Sequence, residues 1–150
     1  MAEALVVHEE VSRQLFDEAV RGLTAELCTL RGWTIHSATF PTLDMSFSAP
    51  GRAATRLRVQ CDDWNSLPPS IVWLDEQGNL AKTIAPAPGN QFQQAHSVTG
   101  RPFVCMAGVR EYHTYSSHTG DLWDNYKNRS GYDLGGIITQ VWRAWQTAKL

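Results

Sequence analysis

A surplus of basic residues, long apolar runs, paired cysteines and internal repeats are all missing from this 150-residue chain. Each absence removes a class of function. The 13 lysines and arginines are outnumbered by 15 aspartates and glutamates, so no positive excess exists to hold a polyphosphate. Nucleic acid is therefore not an expected partner. Purely apolar runs such as Leu5–Val7 are far too short to span a bilayer, and no membrane is expected. The opening MAEALVVHEE carries acids where an export signal needs bases, which points to the cytoplasm. Three cysteines, an odd number and widely spaced, make no disulfide framework and fit a reducing compartment. Phosphate-cradling glycine loops, GxSxG, HExxH and calcium-loop patterns are also lacking.

What is present suits one globular domain over residues 1–150: 43% hydrophobic residues, 19% charged residues and six tryptophans, enough for a dense aromatic core or a partner surface. Val11, Leu15, Ala19, Leu23, Leu27 and Leu30 recur at helical steps, predicting one long helix from His8 to Arg31. Gly22 is its weak point, and Arg31-Gly32 is a stop signal. Strand signals follow at Thr34–Phe40, Leu43–Ser48, Thr55–Cys61 and Ser70–Leu74. Leu43, Met45 and Phe47 share one face of their strand, and Leu57, Val59 and Cys61 one face of theirs. Residues 81–94 have no period and read as an extended loop. Leu134, Ile137, Ile138, Val141, Trp142 and Trp145 then give a closing helix with Asp133 as N-cap. Helix, antiparallel strands, loop and helix make an α+β pattern.

The chemistry is concentrated between Gln94 and Trp123, which holds Cys105, Glu111, His96, His113 and His118. If that stretch is a strand, Glu111 and His113 point to the same side, and a turn through Tyr115-Ser116-Ser117 returns His118 toward them. Thiolate, carboxylate and two imidazoles are acceptable zinc ligands. They are equally an activated thiol with a histidine base and a carboxylate to orient it. Spacing alone leaves open a nucleophile, a metal ligand or an inert buried thiol. Cys28 and Cys61, each on an apolar face of a periodic element, read as core.

The order of elements resembles the ubiquitin-conjugating enzyme fold: an N-terminal helix, a four-strand antiparallel meander, an active-site loop and a C-terminal helix. Leu67-Pro68-Pro69-Ser70-Ile71-Val72-Trp73 is similar to that family's proline-marked entry to its last strand, and His96 followed by Cys105 to its histidine and catalytic cysteine. Ser97-Val98 stands where eukaryotic members carry Pro-Asn, so the asparagine assigned to oxyanion stabilisation has no counterpart. Cys105, Glu111, His113 and His118 resemble the Cys-Glu-His-His (CEHH) signature of a bacterial branch first labelled as metal-binding. That branch is encoded beside ubiquitin-like proteins, an activating enzyme and a JAB-type peptidase in antiviral-defence operons.

The resemblance implies a ubiquitin-like-protein conjugating enzyme that needs no cofactor. Cys105 would carry the thioester, His113 or His118 would handle the proton, and Glu111 would orient the imidazole. His96 would shape the loop, and Arg13, Arg21 and Arg31 would contact the activating enzyme from the first helix. Protein targets would supply the acceptor amine. The rival expectation is a zinc-binding adaptor with Cys105, Glu111, His113 and His118 as ligands. A third is a conjugating fold that binds partners without catalysis.

Overall fold

Alternation with period two builds the centre of the molecule. A computed structural model describes residues 8–85 and 87–148, so the opening segment 1–7 with its apolar run Leu5–Val7, Pro86 and residues 149–150 lie outside it. β1 (Trp33–Thr39), β2 (Thr42–Ala49), β3 (Arg52–Gln60) and β4 (Ser70–Leu74) form an antiparallel meander in sequence order. Register pairs Leu43 with Val59, Met45 with Leu57, Leu57 with Trp73 and Val59 with Ile71. These side chains, with Phe47 and Cys61, are buried on one face as the alternation requires. Each fully buried Leu, Ile, Val, Met or Phe contributes roughly 1.5–3 kcal/mol through lost contact with water. On the other face Arg56 holds Asp44 through two bonds of 2.8 and 2.7 Å. That hydrogen bond, helped by the guanidinium charge, keeps the Asp44 carboxyl below its ordinary range.

The buried face is covered by α4 (Leu134–Thr147). Asp133 caps it by accepting from the Gly136 amide at 2.7 Å, as expected from its place before the periodic run. Ile137, Ile138, Val141 and Trp145 all point inward. The Trp145 ring lies 5.6 Å from Phe47, and its Nε1 donates to Thr55 Oγ1 at 2.8 Å. At the other end, Arg52 donates to the carbonyls of Gln146 and Ala148, which the helix itself cannot satisfy.

The single helix expected over 8–31 is instead two, α1 (Glu9–Arg21) and α2 (Ala25–Arg31). The break has a local cause. The Gly22 amide closes α1 on the Glu18 and Ala19 carbonyls. Thr24 then starts α2 by accepting from the Leu27 amide at 3.2 Å. A new start resets the apolar stripe. Ser12 and Phe16 face inward, whereas Val11 is 48% and Leu30 83% exposed. Gly32 ends α2 with φ +72°, and the Ser48 carbonyl occupies the space a Cβ would need.

Beyond β4 the chain runs irregularly to a small hairpin, β5 (Phe92–Gln93) with β6 (Phe103–Val104). The loop expected over 81–94 therefore ends in a strand. α3 (Arg110–Thr114) follows immediately. Among the described residues no helix is long and apolar enough to cross a membrane.

Candidate active site

Cys105 begins where β6 ends, and its amide donates to Gln91 O at 2.7 Å across the hairpin. It is half-buried, whereas Cys28 and Cys61 are buried. The burial expected for those two thus holds, and it pushes the Cys61 thiol up to about 12. The Cys105 thiol is also pushed above its ordinary value by burial, with no neighbouring cation pulling it down.

His96 organises the hairpin from inside. It is 3% exposed. Its Nδ1 accepts from the Val98 and Thr99 amides at 3.0 and 3.2 Å, which leaves the ring proton on Nε2. That nitrogen donates to Glu111 O at 2.9 Å, with Thr114 Oγ1 at 3.2 Å. These bonds tie the hairpin loop to α3.

After Cys105 the chain makes a tight turn, in which the Val109 amide donates to Met106 O at 3.1 Å. Gly108 stands third in it with φ +95°, the position where a type II turn needs glycine. A Cβ there would meet the Tyr132 ring at 3.0 Å and Ile137 at 3.2 Å.

α3 is bolted to the start of β4. Arg110 donates to Pro68 O at 3.1 Å and to the Asp62 carboxylate at 3.2 Å, and its amide to Pro69 O at 2.8 Å. Glu111 accepts from Ser70 Oγ at 2.7 Å and from the Ile71 amide at 2.9 Å. Because this segment is helical and not extended, residues 111 and 113 point about 200° apart instead of sharing a face. His113 turns the other way. Its Nε2 accepts from the Gly108 amide at 3.0 Å and its Nδ1 donates to Asp121 O at 2.7 Å. Burial lowers its pKa, in keeping with a neutral ring that uses both nitrogens.

Of the four residues expected to act together, His113 and His118 both pack on Tyr112, which also lies near Cys105, whereas the Glu111 carboxylate is directed to β4. Both Glu111 oxygens and both His113 nitrogens already have partners. Among the described residues no group of three or more His, Cys, Asp or Glu side chains is placed to hold a metal ion. In this arrangement Glu111 and His113 are turned to backbone partners and not to a shared ligand position. The arrangement leaves a half-buried thiol on a hydrogen-bonded loop.

His118 stacks on Tyr112 with ring centroids 4.3 Å apart and planes at 15°. Among the described residues its ring nitrogens have no hydrogen-bond partner. Tyr112 and Tyr126 both donate to Asp121 Oδ2, at 2.6 and 2.7 Å. These bonds lower the Asp121 carboxyl and raise both phenols. Cys105 lies near enough to Tyr112 for a thiolate there to add a small part of that rise. Asp121, Tyr126 and Gly108 were not among the residues singled out from sequence. Only Gly108 left a signal, as a glycine soon after an apolar strand.

The chain is similar to the Y4jH family. That family's model matches residues 77–146, from the turn after β4 to the last turn of α4, and so includes Cys105, Glu111, His113 and His118. A protein of Sinorhizobium fredii described as "Uncharacterized protein y4jH" is 26% identical over 174 aligned positions, covering 94% of this chain and 85% of that protein. Neither description states an activity.

The arginines expected to meet a partner have different fates. Arg13 pairs with Glu9 and Glu10 at 3.5 and 3.9 Å and lies over the Phe40 ring. Arg21 is exposed at the end of α1. Arg31 is committed inward, donating to Thr139 Oγ1 at 2.7 Å and lying over Trp33 and Trp142. It is a strut between α2 and α4 rather than a free contact.

Proposed function

We propose that this protein is a ubiquitin-like-protein conjugating enzyme in which Cys105 carries the acyl group. The observation that carries the reading is the placement of the one partly accessible thiol of three. It sits at the end of a short hairpin after a four-strand meander, on a loop clasped by His96, Glu111 and His113. The Cys105 thiolate attacks the thioester carbonyl carbon presented by an activating enzyme and expels that enzyme's thiolate. A target amine then attacks the new thioester and expels the Cys105 thiolate. A basic leaving thiolate departs slowly, so a thiol raised by burial suits a carrier that must survive in water between the two steps.

His118 is the proton handler in this scheme, because its ring nitrogens have no hydrogen-bond partner among the described residues while His113 and His96 use both of theirs. The exposed side of α1, with Arg21 and the half-exposed Arg13, is the docking face for the activating enzyme. A place in bacterial antiviral defence, with a JAB-type peptidase as a further partner, extends the same resemblance.

The test is to combine the protein with a cognate activating enzyme, ubiquitin-like protein and ATP and to run a non-reducing gel. A reductant-sensitive adduct is expected, lost in Cys105→Ala and converted to a reductant-stable oxyester in Cys105→Ser. An adduct that persists in Cys105→Ala would end the proposal.

A second reading has one observation in its favour: no cation lowers the Cys105 thiol. A partner-binding conjugating fold without acyl transfer would form the non-covalent complex with the ubiquitin-like protein and give no adduct.

A further inference from the structure

Acyl transfer at Cys105 places negative charge on the carbonyl oxygen of the acyl group, and that charge needs donors. The hairpin loop between Gln94 and Phe103 contains no asparagine or glutamine to supply a side-chain amide. The backbone beyond the cysteine offers an alternative. The Cys105 amide is spent on Gln91 O, the Gly108 amide on His113 Nε2 and the Val109 amide on Met106 O. The two amides between them, of Met106 and Ala107, have no acceptor among the described residues. Both residues are half-buried. Consecutive free N–H groups in a turn directly after a nucleophile are a common way to hold an oxyanion.

We propose that the Met106 and Ala107 amides form the oxyanion hole of Cys105, and that His113 is the positioning residue that holds their turn by fixing the next amide along. This inference rests on the acyl-carrier reading of Cys105. The chemistry balances without a further reactant. An amine nitrogen attacks the thioester carbon, and the carbonyl π pair moves to oxygen and is met by the two N–H groups. The pair then returns and expels the Cys105 thiolate, while the ammonium proton passes to solvent.

The turn itself supplies a clean variant. Ala107 is second in a turn whose third residue is glycine at positive φ, the place where proline fits best. Ala107→Pro therefore keeps the turn and removes one donor, while Ala107→Ser keeps the donor. Lactate in place of Ala107, introduced by semisynthesis, removes the same N–H without a ring.

Cys105 would be acetylated by exchange with a small acetyl thioester, and its loss to hydroxylamine followed by intact mass. In parallel, the alkylation rate of Cys105 by iodoacetamide reports the thiol alone, since alkylation develops no oxyanion. Deacylation is expected to fall roughly 10²-fold in the proline and lactate variants. Alkylation should be unchanged in both, and Ala107→Ser should match the wild type. Deacylation at the wild-type rate in both variants overturns the proposal, as does a fall that alkylation shares. Because acetylation is chemical, this result stands apart from the ATP-dependent adduct, whose absence would sink the conjugation reading alone.

Discussion

His113 Nε2 accepts the Gly108 amide at 3.0 Å, so an imidazole expected from sequence to handle a proton is spent on holding a turn. Its other nitrogen reaches Asp121 O, which ties the loop after Cys105 to the loop after His118. A ring that donates on one side and accepts on the other must be neutral. Protonation would replace the acceptor with a second donor facing the Gly108 N–H.

The first expectation concerns acid. Burial lowers the folded-state pKa of His113 below its ordinary 6.5. The unfolded chain then binds the proton more readily, so this group's contribution is full above about 6.5 and is lost as pH falls through the lowered value. Asp121 is also lowered, but from an ordinary 3.8, so its window lies further into acid. Thermal melts of wild type and His113→Gln should converge as pH drops from 7 to 5, with the wild type the more stable at 7. A constant gap would remove the clasp role from the titration of His113.

Glu111 leads to a stability experiment. Its carboxylate serves the Ile71 amide and Ser70 Oγ at the root of β4. Glu111→Ala strands that amide, at a cost of about 1–3 kcal/mol. Urea unfolding should show the loss as a lower midpoint with an unchanged slope, and Glu111→Gln should recover part of it through its carbonyl oxygen. A zinc ligand would behave differently: metal content would fall with the substitution, and a chelator would lower the wild-type midpoint.

The three thiols should separate in time. In the native protein a thiol reagent should modify Cys105 first and reach Cys28 and Cys61 only on unfolding, because those two are buried. Cys105→Ser should delete the fast phase alone. The fast rate should still be rising above pH 9, since burial raises the Cys105 thiol from its ordinary value of 9.0. A plateau near neutral pH would reveal an activating cation that the geometry does not contain.

Asp121 can be read through its tyrosines. The Tyr112 and Tyr126 phenols are raised first by their hydrogen bonds to its carboxylate. Asp121→Asn should bring both back toward the ordinary 10, visible as phenolate absorbance appearing earlier in an alkaline titration. The sign for stability follows. A raised phenol contributes fully below about 10 and loses that contribution as pH rises through the folded value. The variant should thus differ least from wild type at high pH.

Much of the scaffold could be read from the chain because its causes are local. Alternation alone put Leu43, Met45, Phe47, Leu57 and Val59 on the buried face, and Arg31-Gly32 and Asp133 marked helix ends through bonds within one turn. The helix over 8–31 failed at Gly22 for an equally local reason, since Thr24 offered a second cap. The site was legible only as a concentration of residue types. Cys105 and His96 lie in a hairpin whose two strands are close in sequence. The partners of Glu111 are some forty residues upstream, and no spacing rule reaches them.

The sequence by itself determined the four strands of the meander, the closing helix and which cysteines are core, because side-chain period and capping act over a few residues. Tertiary structure alone decided what the acid and the histidines do. Docking α3 against β4 turned Glu111 toward Ile71, and the turn of α3 brought His113 back onto the Gly108 amide. Buried N–H groups need acceptors, and these side chains were the ones in reach.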